Sequence, residues 1–208
     1  MKMCPNDDIK TKLRTGLYHR TSLKHYEGIR RAGVIIPNAG QFEVTYEQSK
    51  GSYGFRNGYI SLFDFESVRL NIYNEFFQEW VGFFGYLVPA TLILKINRKQ
   101  LKDKLIPNGS AQLGVDFFIP YAEVWYPEPI RLTSVQTYII KFEDGSNWQL
   151  YDSSEKDEFD GTVALICQID DRIVSRCPEL LKIENHQKRS RLLKKAYDAI
   201  AISKVLTR

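Results

Sequence analysis

The sequence is short of the residues that most often build metal or covalent chemistry. It holds three histidines and three cysteines in 208 residues. Cys4, Cys167 and Cys177 are odd in number and unrelated in spacing, so they form neither a disulfide framework nor a CxxC metal knuckle. Three histidines speak against a multi-histidine zinc site, and no cysteine is placed in sequence for a Cys–His nucleophile. There is no GxxxxGK[ST] phosphate loop, no GxGxxG after a strand, no HExxH and no GxSxG. Long hydrophobic runs are missing too. The longest, Trp80 to Ile96, is broken by Gly82, Gly85 and Pro89 and sits at the short limit of a membrane span, so two core strands joined by a turn explain it better. Asn6, Asp7 and Asp8 close behind Met1 leave no apolar stretch for a secretory signal. The expectation is a cytoplasmic protein of a reducing compartment, with no membrane partner.

What is present is enough for a packed core. The chain is 43% hydrophobic and 26% charged, which excludes a disordered chain, and its 13 Gly and 8 Pro exclude low complexity. The net charge of +4 is unevenly spread. Residues 182–208 carry eight Lys/Arg against two acids, leaving 21 bases and 23 acids in the rest. Basic character therefore lives in the tail, where a basic helical face could meet phosphates or simply face water.

Local patterns predict an α+β domain over residues 1–150 and an extension over 151–208. The first ten residues are polar and read as loose. Leu17–Thr21 is a strand, Ser22 an N-cap, and a helix follows until Gly33 stops it. Val34–Pro37 is extended, and 38–57 reads as a mobile loop. A strand at Gly58–Phe63 precedes a helix from Asp64 to about Glu79. Strands follow at Phe83–Val88, Thr91–Ile96, Ala122–Tyr126, Ile130–Thr133 and Val135–Phe142, with a short helix from Arg98 to Leu105. Beyond them lie an acidic linker or loop, Tyr151–Asp160, a helix at Val163–Val174, and a basic helix at His186–Val205.

One combination stands out by its order. Leu17-Tyr18-His19-Arg20-Thr21-Ser22 leads into the helix that ends at Gly33 and then to Ile36-Pro37. Gly58-Tyr59-Ile60-Ser61 follows, then Thr91–Arg98, and finally Pro120-Tyr121-Ala122-Glu123-Val124-Trp125-Tyr126. Over about residues 15–142 this set resembles the ADP-ribosyltransferase superfamily, and most closely its His-Tyr-Glu branch. The resemblance implies a split β-sheet core with peripheral helices and a helical C-terminal extension. It also implies NAD as co-substrate, no metal, and transfer of ADP-ribose to a macromolecular acceptor, nucleic acid or protein. Family members serve as toxins or defence effectors, some of them DNA-modifying members of toxin–antitoxin pairs. A neutralising antitoxin or immunity partner is therefore an expectation at family level.

The residue roles follow from that resemblance and from the chemistry. Breaking the nicotinamide–ribose bond builds positive charge on the sugar, and a carboxylate beside it stabilises that charge. Glu123, opening an aromatic-rich strand, is the catalytic candidate; an ordinary exposed strand-end carboxylate is the alternative. His19 and Thr21 share one face of the first strand, where His19 would hydrogen-bond a ribose hydroxyl. Arg20 stays open as the first-strand residue, because some members use arginine there. Tyr59 or Tyr73 would stack on the nicotinamide ring. Ser61 would support the nicotinamide ribose or Glu123, and Arg56 could meet a pyrophosphate or face water. Tyr121 stands where arginine-modifying members carry an acid two residues before the catalytic one, so that acceptor is not expected. With water as acceptor the same site is an NAD glycohydrolase. The rival from another class is a non-catalytic nucleic-acid or protein-binding module acting through the basic tail.

Overall fold

The computed structural model describes residues 5–42, 50–85, 90–101, 103–132, 136–144 and 147–164, with single positions 167, 192 and 195. The segments expected as helices at Val163–Val174 and His186–Val205 lie almost wholly outside the described residues, as do Cys4 and Cys177.

The chain opens with helix α1 (Pro5–Leu13) where loose chain was expected. Asp7 and Asp8 in its first turn and Lys10 and Lys12 in its last complement the helix dipole. Ile9 and Leu13, four residues apart, bury one face completely. Strand β1 (Leu17–Thr21) follows, then α2 (Leu23–Ala32). The α2 boundaries are chemical: the Ser22 hydroxyl accepts the His25 N–H at 3.3 Å, and Gly33 closes the helix at φ 66°, in the left-handed region.

After β2 (Val34–Ile35) comes a one-turn helix, α3 (Tyr53–Arg56), inside the stretch read as loop. Its Gly54 is required by close approach, because a Cβ there would meet Ser61 Oγ at 2.5 Å and Trp125 Cδ1 at 2.9 Å. Strand β3 (Ile60–Asp64) leads to α4 (Leu70–Gly85). The expected helix start at Asp64 is corrected: Asp64 is a strand residue gripped by Arg98 (2.6 and 2.7 Å), and its carboxylate also accepts the Ser67 N–H of the following turn. The expected strand at Phe83 is corrected as well, since 83–85 complete α4; a Gly-rich apolar run carries no period that separates strand from buried helix.

Strands β4 (Ala90–Ile96), β5 (Glu123–Tyr126), β6 (Ile130–Arg131), β7 (Thr137–Asp144) and β8 (Asn147–Asp152) complete the sheets. Strand β8 was not anticipated. It takes the start of the supposed acidic linker, so among the described residues the sheet runs to Asp152. Residues 156–164 are then helical, with Phe159 buried against Leu23, Leu92 and Ile139.

Six strands form one antiparallel sheet in the order β5-β3-β1-β4-β7-β8, and β2 pairs with β6 in a separate ribbon. The architecture is α+β. Alternation along the strands divides the core. One face packs Tyr18, Ile93, Tyr138 and Ile140 against α1 and α4, centred on Phe65, Tyr73, Phe77 and Trp80. The other packs Leu17, Leu62, Leu94 and Ile96 beneath α2 and the ribbon. Each large side chain so buried contributes about 1.5–3 kcal/mol.

One irregularity positions the site. Strand β1 pairs with β4 along all its residues, Leu17↔Ile96 to Thr21↔Leu92, yet with β3 only at Leu17↔Asp64 and Tyr18↔Phe63. Beyond Tyr18 the sheet forks.

Candidate active site

A cleft of about 560 Å³ opens at this fork, within the size range of small-ligand sites. Its walls come from the end of β1, the inward face of α2, the β2 exit, α3 and the segment entering β5. His19, Arg20, Thr21, Tyr59, Ser61 and Glu123 all line it.

His19 sits where a ladder bond would otherwise lie. Its Nδ1 is 3.1 Å from the Ser61 carbonyl. A carbonyl only accepts, so this nitrogen carries the proton and Nε2 of the neutral ring is left as an acceptor. Burial holds the His19 pKa down to about 4, against a smaller upward pull from the Ser61 carbonyl. The ring is therefore neutral near pH 7, suited to accept from a hydroxyl. Thr21 is buried, with its hydroxyl directed to the Ser22 carbonyl at 3.4 Å. Arg20 lines the cleft as well, despite the alternation that sends it to the other face, because β1 ends at the fork.

Glu123 is 5% exposed. The Ile119 N–H donates to its Oε2 at 2.7 Å and the Trp125 indole to its Oε1 at 3.2 Å. The Ser61 hydroxyl is a third partner. Burial pushes the Glu123 pKa above the usual carboxylate range, and these three bonds pull it partway back. All three partners are neutral donors. As neutral donors they fix the carboxylate without neutralising it, so in its ionised form it can stabilise a cation arriving in the cleft. The alternative of an ordinary exposed carboxylate does not describe this residue.

The two strands bring these side chains together in register. Phe63 faces Glu123 and Ser61 faces Trp125, so Ser61, Glu123 and Trp125 share one face of the β3–β5 pair. Ser61 thus supports Glu123, one of its two expected roles. Tyr59, half-buried at the entry to β3, lines the cleft and has its ring 6.3 Å from that of Tyr53. Tyr73 is corrected. It lies in the core under α4, 1% exposed, with its hydroxyl on the Lys10 carbonyl at 2.6 Å and the Arg14 guanidinium 5.1 Å from its ring. Helical spacing in α4 turns it toward Phe65 and Phe77, away from the fork. Arg56 is paired with Asp116 at 3.0 Å and is not a cleft wall.

Sequence reasoning missed several contributors. Trp125 was given no role of its own, although the period of two already placed it on Glu123's face. Phe42, Phe55 and Phe117 line the cleft from segments without periodicity, and Gly28 of α2 opens space in its wall. Among the described residues no group of three or more His, Cys, Asp or Glu could hold a metal ion. No described helix is long and apolar enough to cross a membrane. Comparison of the chain with protein-family models, with curated proteins and with solved structures yields no match.

Proposed function

We propose that the chain is an enzyme that cleaves a ribosyl–nitrogen bond of a nucleotide substrate. More particularly, it is an NAD-dependent ADP-ribosyltransferase. The observation that carries this reading is the convergence of a neutral His19 acceptor and a buried Glu123 carboxylate, held by uncharged donors, in one cleft at the sheet fork. The fork itself supports the split-sheet fold that the sequence resemblance implies.

The chemistry follows from the groups. The C1′–N bond of NAD breaks and its electron pair leaves with nicotinamide. The ribosyl cation is stabilised by the Glu123 carboxylate, while His19 Nε2 accepts from a ribose hydroxyl and Tyr59 offers an aromatic face. A nucleophile of the acceptor adds at C1′ and releases its proton. The segment entering β5 exposes Leu113, Val115, Phe117 and Tyr121, a surface that favours a macromolecular acceptor over water. That segment carries no Lys or Arg from 107 to 121, which favours protein; the basic tail is the feature that would favour nucleic acid.

The test is nicotinamide release from NAD by wild type and Glu123→Gln, with DNA, RNA and protein acceptors. Removing one essential charge-stabilising group should lower the rate roughly 100-fold or more. Full turnover by Glu123→Gln would overturn the reading. Release without any acceptor would make the site an NAD glycohydrolase.

A further inference from the structure

A primary amide has two N–H donors and one acceptor oxygen. The Asn108 side chain spends all three kinds of capacity on one short segment. Its Nδ2 donates to the Ile119 carbonyl at 3.1 Å and to the Glu123 carbonyl at 2.8 Å, and its Oδ1 accepts the Tyr121 N–H at 3.2 Å. Its own position is fixed from behind, because Ile106 and Trp125 exchange both backbone hydrogen bonds (2.8 and 3.0 Å). The amide is thus anchored to β5 and grips the turn that enters β5.

Backbone bonds close that turn at two levels, the outer being the Glu123 N–H donating to the Ile119 carbonyl at 3.1 Å. Ala122 N–H closes on the Pro120 carbonyl at 2.8 Å, and Tyr121 between them has φ 65°. Tyr121 is the one non-glycine residue with positive φ among the described residues. A bulky residue in the left-handed region stores strain that surrounding contacts must offset. The consequence falls on the site: the same turn brings the Ile119 N–H onto Glu123 Oε2 at 2.7 Å.

We propose that Asn108 is the positioning residue of this site, its carboxamide holding the strained Pro120–Ala122 turn closed so that the Ile119 N–H stays on the Glu123 carboxylate. The role of the clamp in catalysis rests on the reading of Glu123 as the charge-stabilising group; its effect on the Glu123 carboxyl does not. Asn108 acts through Glu123 and not on substrate.

Two measurements on the full chain separate these. Carboxyl-¹³C NMR of glutamate-labelled protein follows the titration of Glu123, with its resonance assigned by its loss in Glu123→Gln. In Asn108→Ala the midpoint should rise by about one pH unit, because one hydrogen bond favouring the charged form is weakened. Charged and titratable groups sharing the cleft are His19 and Arg20 of β1, His25 of α2 and Tyr59. They are unchanged between the two proteins, so the difference reports the clamp. In parallel, kcat for nicotinamide release should fall roughly 10- to 100-fold with little change in KM, and its acid limb should move up with the NMR midpoint. Adding Tyr121→Gly, which accepts positive φ without strain, should restore part of both.

Asn108→Leu, of nearly the same shape but with neither donors nor acceptor and no charge, carries the same expectation should Asn108→Ala not fold. A folded variant with an unshifted Glu123 midpoint overturns the proposal, and so does failure of both variants to fold, which would make Asn108 purely structural. If Glu123→Gln keeps full turnover, the functional reading falls while the NMR shift still decides whether the clamp exists.

Discussion

His19 and Glu123 are both shifted by burial, in opposite directions, and pH should separate them. His19 stays neutral down to about 4, so it adds no limb near pH 6.5 to the rate profile. Glu123 must be ionised to stabilise a cation, and its pKa lies above the ordinary glutamate value of 4.5. The rate of nicotinamide release should therefore rise with unit slope through one acid limb, displaced above that value. A limb centred at 6.5 that vanishes in His19→Gln would refute this assignment. Stability carries the complementary signal. Unfolded, His19 takes up its proton near pH 6.5; folded, it resists until about 4. The unfolded chain binds more protons between those values, so this contribution is intact above 6.5 and lost as pH falls through the window. Its size is of the order of 3 kcal/mol for a fully dry ring, and less where the cleft admits water. Glu123 acts with the opposite sign, because folding raises its pKa and protonation then favours the folded state. Urea unfolding of wild type and His19→Gln at pH 7 and pH 4 checks the histidine term, with the wild type losing more stability on acidification.

Among the elements, α2 and α3 each place a glycine at the site for a different reason. In α2, Gly28 faces the cleft with nothing within 4 Å of the position a Cβ would take. Helix interiors disfavour glycine, so Gly28→Ala should stabilise the protein by roughly 0.5–1 kcal/mol, read as a higher Tm. Gly28→Leu should instead fill the wall and raise KM for NAD at similar kcat. In α3, Gly54→Ala should cost about 1–3 kcal/mol, because the new methyl meets Ser61 Oγ and Trp125 and the turn must shift away from β3. Urea unfolding measures it, and neutrality would show that α3 is not seated as described. The elements also differ in how far the sequence disclosed them. Helix α2 was legible at both ends because Ser22 and Gly33 have local, side-chain-level reasons to be there. Helix α4 was placed too early because Asp64 is held in the strand by Arg98, a contact 34 residues away that no local pattern shows. Strand β8 was overlooked because it is a six-residue edge strand that runs into the acidic stretch at Asp152, although Trp148 and Leu150 carry a short alternation. Glu123, His19 and Ser61 were singled out from order along the chain, and the fold gathers them around one cleft. Tyr73 was misplaced because stacking and core packing ask for the same aromatic residue.

For the whole molecule, the fork joins the two halves of the sheet to one binding event. A ligand seated between β1 and β3 touches both halves, so it binds the folded chain and not the unfolded one. Bound NAD should raise the unfolding free energy by about 2.7 kcal/mol at 100 times its Kd. Glu123→Gln should keep most of that gain, since the amide occupies the same space and the contacts proposed for His19 and Tyr59 would remain. On the proposed function it is also the better protein for the measurement, because it should consume the ligand far more slowly during the scan. The basic tail predicts something different. With residues 182–208 removed, the remaining bases and acids leave a slightly acidic chain, so salt-dependent affinity for nucleic acid should collapse. NAD-dependent stabilisation should survive, because the described cleft is lined by residues from His19 to Glu123. Thermal scans of wild type, Glu123→Gln and the truncated chain, each with and without NAD, compare the two ends of the molecule directly. Stabilisation by NAD in all three, lost on adding Gly28→Leu to fill the cleft wall, would place the ligand at the fork. Stabilisation that disappears with the tail would move binding away from the cleft, and the reading of His19 and Glu123 would go with it.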